Sequence, residues 1–251
     1  MTGRTVLDIL RRERTRDGAR PFITWYGEQG ARVELSVATV ELWIAKTANF
    51  LQDGLAAQPG GVAAVALPQH WLTPAIWWAC WHNGLVLAPL APDAELPVDA
   101  DLLIVPAHRA GEAASLAPDV IAVSTEPMGG RIRGELAGGV VDFGTDVPGY
   151  DDRFTAYSPV DPAAPALRCD GRDLSAAQLA AEATAFEPGA RILMALPWHT
   201  TAGVLAVVGT LAAGGSLVVG TTDSQAVAAE RITGTVGISL PGIERIDEDR
   251  A

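Results

Sequence analysis

The chain has 251 residues, of which 49% are hydrophobic, and a formal net charge of −12 at pH 7. That is enough for one large α/β domain or two small ones with a real core. The acidic balance excludes nucleic acid and anionic membrane as expected partners, because no basic stripe is present to release counterions. Cys80 and Cys169 are the only cysteines, too few for a structural zinc site or a disulfide framework, and Lys46 is the only lysine. MTGRTVLDILRRERTRDG at the start carries no signal-peptide core, so a reduced, cytoplasmic protein is expected.

Thr5-Val6-Leu7-Asp8 reads as a capping box, opening a short amphipathic helix to about Thr15. Phe22 to Tyr26 and Val33 to Leu35 read as a hairpin around Gly27-Glu28-Gln29-Gly30. Ser36 caps a second helix, Val37 to about Leu51, and Val62 to Leu67 is a buried strand closed by Pro68. In the stretch Trp71 to Gly84, Pro74 fits the first helical turn and Gly84 the stop. Its tryptophans (Trp71, Trp77, Trp78, Trp81) occupy two neighbouring faces. The segment is too short for a membrane span and ends in His82-Asn83, so a crossover helix packed on a sheet is expected. Cys80 within it reads as a buried small hydrophobe. Val86 to Leu90 is the next strand. Asp101 to Pro106 and Val120 to Ser124 follow, with a helix at Gly111 to Leu116 between them.

From Thr125 to Pro165 the composition shifts to Gly, Pro and Asp, with a strand at Gly139 to Phe143; this is a linker or an ordered wrapping segment. Ala166 to Cys169 is a weak strand, and Ser175 caps an alanine-rich helix to about Phe186. Ile192 to Leu196 is an apolar strand ended by Pro197. Thr200 or Thr201 then caps a helix from about Ala202 to Ala213, Gly214 and Gly215 stop it, and Ser216 to Val219 is a second strand. Strand, helix, strand is a parallel, right-handed βαβ unit. A last helix at Ser224 to Ile232, a strand at Thr235 to Leu240 and an acidic tail at Glu244 to Asp249 complete the chain. The expected fold is α/β, with mostly parallel sheets flanked by helices. Its organisation reads as an N-terminal lobe (1–124), a connecting segment (125–165) and a second lobe (166–251).

The turn Trp198-His199-Thr200-Thr201 sits at the carboxyl end of a strand, where open α/β sheets bind ligands. Trp198, His199, Thr200, Thr201 and Gly203 are therefore the candidate ligand-binding residues. His199 either lines a small-molecule pocket or holds the turn by a hydrogen bond to backbone. His70 and His82 read as structural. No His-x-x-x-His spacing, Gly-x-Ser-x-Gly elbow, Walker loop or dinucleotide fingerprint is present, so no metal centre is expected and no catalytic residue is assigned.

ARPFITWYGEQGARVELSVATVELWIAKTANFLQDGL, followed by GVAAVALPQHWLTPAIWWACWHNGLVLAPLAP, resembles the opening of the adenylate-forming (AMP-binding) enzymes. That superfamily comprises acyl-CoA synthetases, luciferases and peptide-synthetase adenylation domains. LPWHTTAGVLAVVGTLAAGGSLVVG resembles its segment in which an aromatic residue or His follows a Leu-Pro strand end and begins a helix lining the acyl pocket. AERITGTVGISLPGIERI resembles the helix and strand that follow. The likeness covers most of the chain, is nearest to short actinobacterial members, and implies the fold of the family's N-terminal subdomains.

The departures bear on activity. The family binds ATP with a Ser/Thr/Gly-rich loop ending in Pro-Lys-Gly, whose amides, hydroxyls and lysine hold the triphosphate. Here the interval is Pro165-Ala-Leu-Arg-Cys-Asp-Gly-Arg-Asp-Leu-Ser175, with one glycine and no lysine. Arg168, Cys169, Asp170, Gly171, Arg172 and Asp173 hold the degenerate phosphate-loop position. Asp170 and Asp173 set negative charge where phosphate belongs, and Arg168 and Arg172 either offset it or pair with those aspartates. The motifs that the resemblance assigns to adenine, magnesium and ribose, and the catalytic lysine, are not matched. ATP and magnesium are thus implied by the resemblance but not supported by this chain, and no cofactor is expected.

The leading expectation is a catalytically degenerate relative that keeps the scaffold and a cleft for a small carboxylate-type ligand. An interaction module, as a homo-oligomer or the partner of a true ligase, is the alternative. An enzyme newly built on His199 or on Asp151, Asp152 and Asp170 lacks a visible nucleophile–base pair.

Overall fold

The computed structural model describes residues 5–246. The chain opens with α1 (Val6–Asp17), capped by the reciprocal Thr5–Asp8 box expected from sequence. β1 (Pro21–Tyr26) and β2 (Arg32–Ser36) form the antiparallel hairpin. Ser36 caps α2 (Val37–Asn49), which runs on into a π turn at Phe50–Gly54. Then come β3 (Val62–Val65), α3 (Leu72–His82), β4 (Val86–Pro89), β5 (Leu102–Pro106), the short α4 (Ala110–Ala113) and β6 (Asp119–Val123). The Gly/Pro-rich stretch is ordered wrapping structure, holding β7 (Val140–Asp142) and α5 (Phe143–Asp146). β8 (Pro165–Cys169), β9 (Arg172–Ser175) and α6 (Ala176–Ala181) follow. The central unit is β10 (Arg191–Met194), α7 (Thr201–Ala212) and β11 (Ser216–Val219). The described chain ends with α8 (Ser224–Ala229), β12 (Gly234–Val236) and β13 (Glu244–Arg245). Of the expected acidic tail, positions 247–249 lie outside the described residues.

The strands form two mostly parallel sheets. The first has the order β13-β12-β10-β11-β1-β2 and the second β7-β6-β5-β3-β4-β8-β9. Strand pairing cuts across the three stretches read from sequence. β1 lies parallel to β11, Ile23 opposite Leu217, and so joins the sheet of the central unit rather than the nearer β3. β8 lies parallel to β4, with Leu87 opposite Leu167.

One continuous core joins the inner faces of the two sheets through the helices between them. It takes Ile9 from α1, Ile44 from α2, Trp77, Trp78 and Trp81 from α3, and Val204 and Val207 from α7. Ile192 and Leu217 of the first sheet and Val65 and Leu87 of the second close it. α3 is thus the crossover helix expected, with Leu72 through Trp81 all buried. Among the described residues no helix is long and apolar enough to cross a membrane. The outer face of the second sheet carries a smaller cluster, including Ala64, Ala66, Leu103 and Val105.

Several elements are shorter than their sequence pattern. α6 ends at Ala181 rather than near Phe186. The Thr184 amide instead donates to the Leu205 carbonyl at 3.2 Å, and Gly209 of α7 leaves room for the Thr184 backbone to press against it. α8 stops at Ala229 and β12 at Val236, where Gly237 turns in a left-handed conformation (φ 79°) against the Ala195–Leu196 backbone.

Residues 146–157 run as a strap along α2 and its π turn. Lys46 donates to the carbonyls of Pro148 (3.0 Å) and Tyr150 (2.6 Å) and pairs with Asp152 at 2.7 Å. Asn49 donates to the carbonyls of Asp151 and Arg153 at 3.0 and 2.8 Å, and Gln52 to that of Thr155 at 3.2 Å. The spacing 46, 49, 52 keeps these side chains on neighbouring turns of one helix face. The only lysine is therefore committed to holding a loop.

Candidate functional site

The interval that stands where a phosphate loop would lie is a strand, a two-residue turn and a second strand. Cys169 pairs with Arg172, so only Asp170 and Gly171 form the turn. Both are left-handed, at φ 51° and 72°, as a tight two-residue hairpin loop requires. The Asp-Gly dipeptide is the sequence signal for it, although β9 itself was not expected. Arg168 and Asp173 face each other across the hairpin in a two-pronged pair at 3.1 and 3.2 Å. Arg172 instead reaches Glu182 at 2.7 Å, so of the two arginines only Arg168 pairs with one of the loop's aspartates.

The hairpin tip docks on the start of α7. Thr200, and not Thr201, is the N-cap: its hydroxyl accepts the Gly203 amide at 3.1 Å. The Thr201 amide is one of the first-turn donors left over by the helix, and it donates to Asp170 Oδ2 at 2.7 Å. That hydrogen bond is the leading cause that holds the Asp170 carboxyl below its usual range. The hairpin is further tied by Cys169 Sγ donating to the His199 carbonyl at 3.3 Å and Thr201 Oγ1 to the Cys169 carbonyl at 3.4 Å. Burial pushes the Cys169 thiol up to about 11, so it stays protonated and is a poor nucleophile. The chain thus supplies its own carboxylate to the helix N-terminus, where an anion would otherwise bind.

The five candidate ligand residues separate on folding. Trp198 is buried, 3% exposed, with its ring edge-on to Trp77 at 5.6 Å. Thr201 is buried against Cys169. Gly203 is buried too, and a Cβ there would collide with the Pro197 carbonyl, so close backbone packing accounts for that glycine. Thr200 caps α7. His199 remains at a cleft of about 510 Å³ that also takes in Cys169, Asp170 and Gly171.

The rest of that cleft comes from the outer face of the second sheet, at Ala64 and Ala88, and from the connection between β4 and β5, at Leu90 and Asp99. Small alanines carry no sequence signal for a site. The space is visible only once four separate segments meet. A second cleft, about 710 Å³, opens where β1, β3, β6 and β11 end, between Trp25, Gln69, His70, Glu126 and Gly220. His70 is fully engaged there, taking the Leu72 amide on Nδ1 at 3.3 Å and meeting the Glu126 carbonyl through Nε2 at 3.2 Å. Burial lowers its pKa to about 4, so it is neutral and structural. A groove of about 800 Å³ lies elsewhere, between α2 and the strap, over His82 and Phe154.

No family model matches the chain. The TIGR03089 family protein of Mycobacterium tuberculosis (strain ATCC 25618 / H37Rv) is 33% identical over 229 residues, covering 86% of this chain and 89% of that protein. Solved structures share the fold at lower identity. Brucella canis acyl-CoA synthetase superposes with a TM-score of 0.75 at 15% identity, over 94% of this chain and 48% of that one. VinN, solved with 3-methylaspartate, gives 0.71 at 14% identity, over 94% of this chain and 66% of that one. The nonribosomal peptide synthetase FmoA3 gives 0.68 at 18% identity, over 93% of this chain and 25% of that one. The chain therefore spans about half the length of the acyl-CoA synthetase it matches. At these identities the likeness establishes architecture: two mostly parallel sheets flanked by helices, as in the domains of adenylate-forming enzymes. With that fold and a relative matched over nearly its whole length, the chain belongs to the TIGR03089 family.

Proposed function

We propose that this protein uses the adenylate-forming fold without ligase activity, as a small-molecule-binding scaffold whose cleft lies beside His199 and the Asp170-Gly171 turn. The observation that carries the reading is the contracted hairpin. A two-residue turn has too few amides to wrap a triphosphate, and the Asp170 carboxylate already takes the Thr201 amide. The ATP triphosphate does not fit these residues: it would meet the Asp170 carboxylate, while Arg168 is already paired with Asp173. Adenylation also needs positive charge on the carboxylate and phosphate oxygens as charge rearranges. Lys46 is bound to the strap and cannot supply it.

Isothermal titration of the full chain with ATP and AMP, with and without magnesium, tests the reading. No saturable heat at micromolar nucleotide is expected, for the wild type or for Asp170→Asn. Micromolar, magnesium-dependent ATP binding overturns it.

A further inference from the structure

The cleft beside His199 has an apolar wall and an acidic rim. Ala64 and Ala88, on the outer face of the second sheet, line the wall with Leu90. Asp99 and Asp170 stand at the rim. The guanidinium that also borders the cleft, Arg168, is held by both carboxylate oxygens of Asp173 at 3.1 and 3.2 Å. An anionic ligand would face two carboxylates and would have to compete with a third for that guanidinium. A cationic head meets the opposite field. An ammonium is compact, offers three donors, and can stay partly hydrated at a rim while its methylene stem lies on apolar surface.

We propose that this cleft binds a small primary amine carried on an apolar body, with the ammonium between Asp99 and Asp170 and the body against Ala64, Ala88 and Leu90. The assignment rests on the reading of this cleft as the retained ligand site, and it replaces the carboxylate class expected from sequence. Asp170 serves two partners. Its Oδ2 accepts the Thr201 amide, which holds the carboxyl below its usual range, and the residue itself borders the cleft.

The test compares three probes of one shape and different charge: hexylamine, hexanol and hexanoate. Each is titrated into the ¹⁵N-labelled full chain at pH 7 and low salt, following the amides of Ala64, Ala88 and His199. Hexylamine is expected to shift these amides saturably and to bind at least about fivefold more tightly than hexanoate, the scale of one close charge contact in water. Asp99→Asn, an exposed substitution, is expected to weaken hexylamine by a similar factor and leave hexanol unchanged. Hexanoate binding as tightly as hexylamine, or hexylamine indifferent to Asp99→Asn, overturns the amine assignment while the cleft stands. No saturable shift at these amides with any of the three probes overturns the cleft itself.

Discussion

Replacing Trp78 with alanine tests the layer that joins the two sheets. The side chain is 1% exposed and sits edge-on to Trp81, with ring centroids 4.9 Å apart. At about 25 cal/mol per Å², a ring burying roughly 150–250 Å² is worth about 4–6 kcal/mol. An extended-chain reference overstates that area, so a cost of about 3–5 kcal/mol is expected. The indole's 3.4 Å hydrogen bond to the Val6 carbonyl adds little, because that carbonyl opens α1 and keeps a helical partner. Urea unfolding of wild type and Trp78→Ala, run beside sedimentation, gives the midpoint and the association state together. Two phenylalanine variants sharpen the test. Trp81 Nε1 donates to the Ala166 carbonyl at 2.8 Å, whereas Trp77 Nε1 is buried without a partner. Trp81→Phe should therefore cost about 1 kcal/mol more than Trp77→Phe, which removes an unpaired donor. An unchanged midpoint for Trp78→Ala would refute the core placement. The reverse order of the two phenylalanine variants would refute the hydrogen-bond accounting.

Three further outcomes are expected. Burial pushes the Glu230 carboxyl up, but hydrogen bonds from Arg32, Tyr26 and Arg191 outweigh it and hold the folded value at about 2, against 4.5 for the free group. Its stabilisation is therefore present above pH 4.5 and lost as pH falls towards 2, roughly 3 kcal/mol at most; in Glu230→Gln the stability–pH curve should flatten over that window, and an unaltered slope counts against the network. Gly203→Ala forces a methyl into the Pro197 carbonyl and should cost about 1–3 kcal/mol, while Gly171→Ala, in open space at φ 72°, should cost only about 1–2 kcal/mol of left-handed strain. A Gly171→Ala variant less stable than Gly203→Ala contradicts the packing assignments, and a gain of nucleotide binding in Gly171→Ala contradicts the reading of the turn. Asn49→Ala removes two donors from the strap, so limited proteolysis within 147–157 should speed up while the global unfolding midpoint falls by no more than about 1–2 kcal/mol equivalent; cutting that stays slow means the strap is held by other contacts.

The sequence by itself determined what is local. The Thr5–Asp8 box, the Ser36 and Ser175 caps, the glycine stop at Gly84 and the apolar runs of the βαβ unit all act within a few residues, and the structure keeps each one. The tryptophan helix was legible as core because no charge interrupts it from Gln69 to Leu90. Element ends were less so. α6 loses its last turn to a backbone bond with α7, which is a contact between segments and not a property of either. Tertiary structure alone decided which strands share a sheet. Strands buried on both faces read as unbroken apolar runs, with no alternation to mark a partner, so Ile23 opposite Leu217 is invisible along the chain. The site follows the same division. Cys169 to Asp173 reads in the sequence as a tight turn, and only the pairing of β8 with β9 narrows it to two residues. That its carboxylate settles on the Thr201 amide, that Trp198 turns into the core while His199 stays at a cleft, and that alanines from two strands make that cleft's wall, depend on segments up to 137 positions apart being packed together.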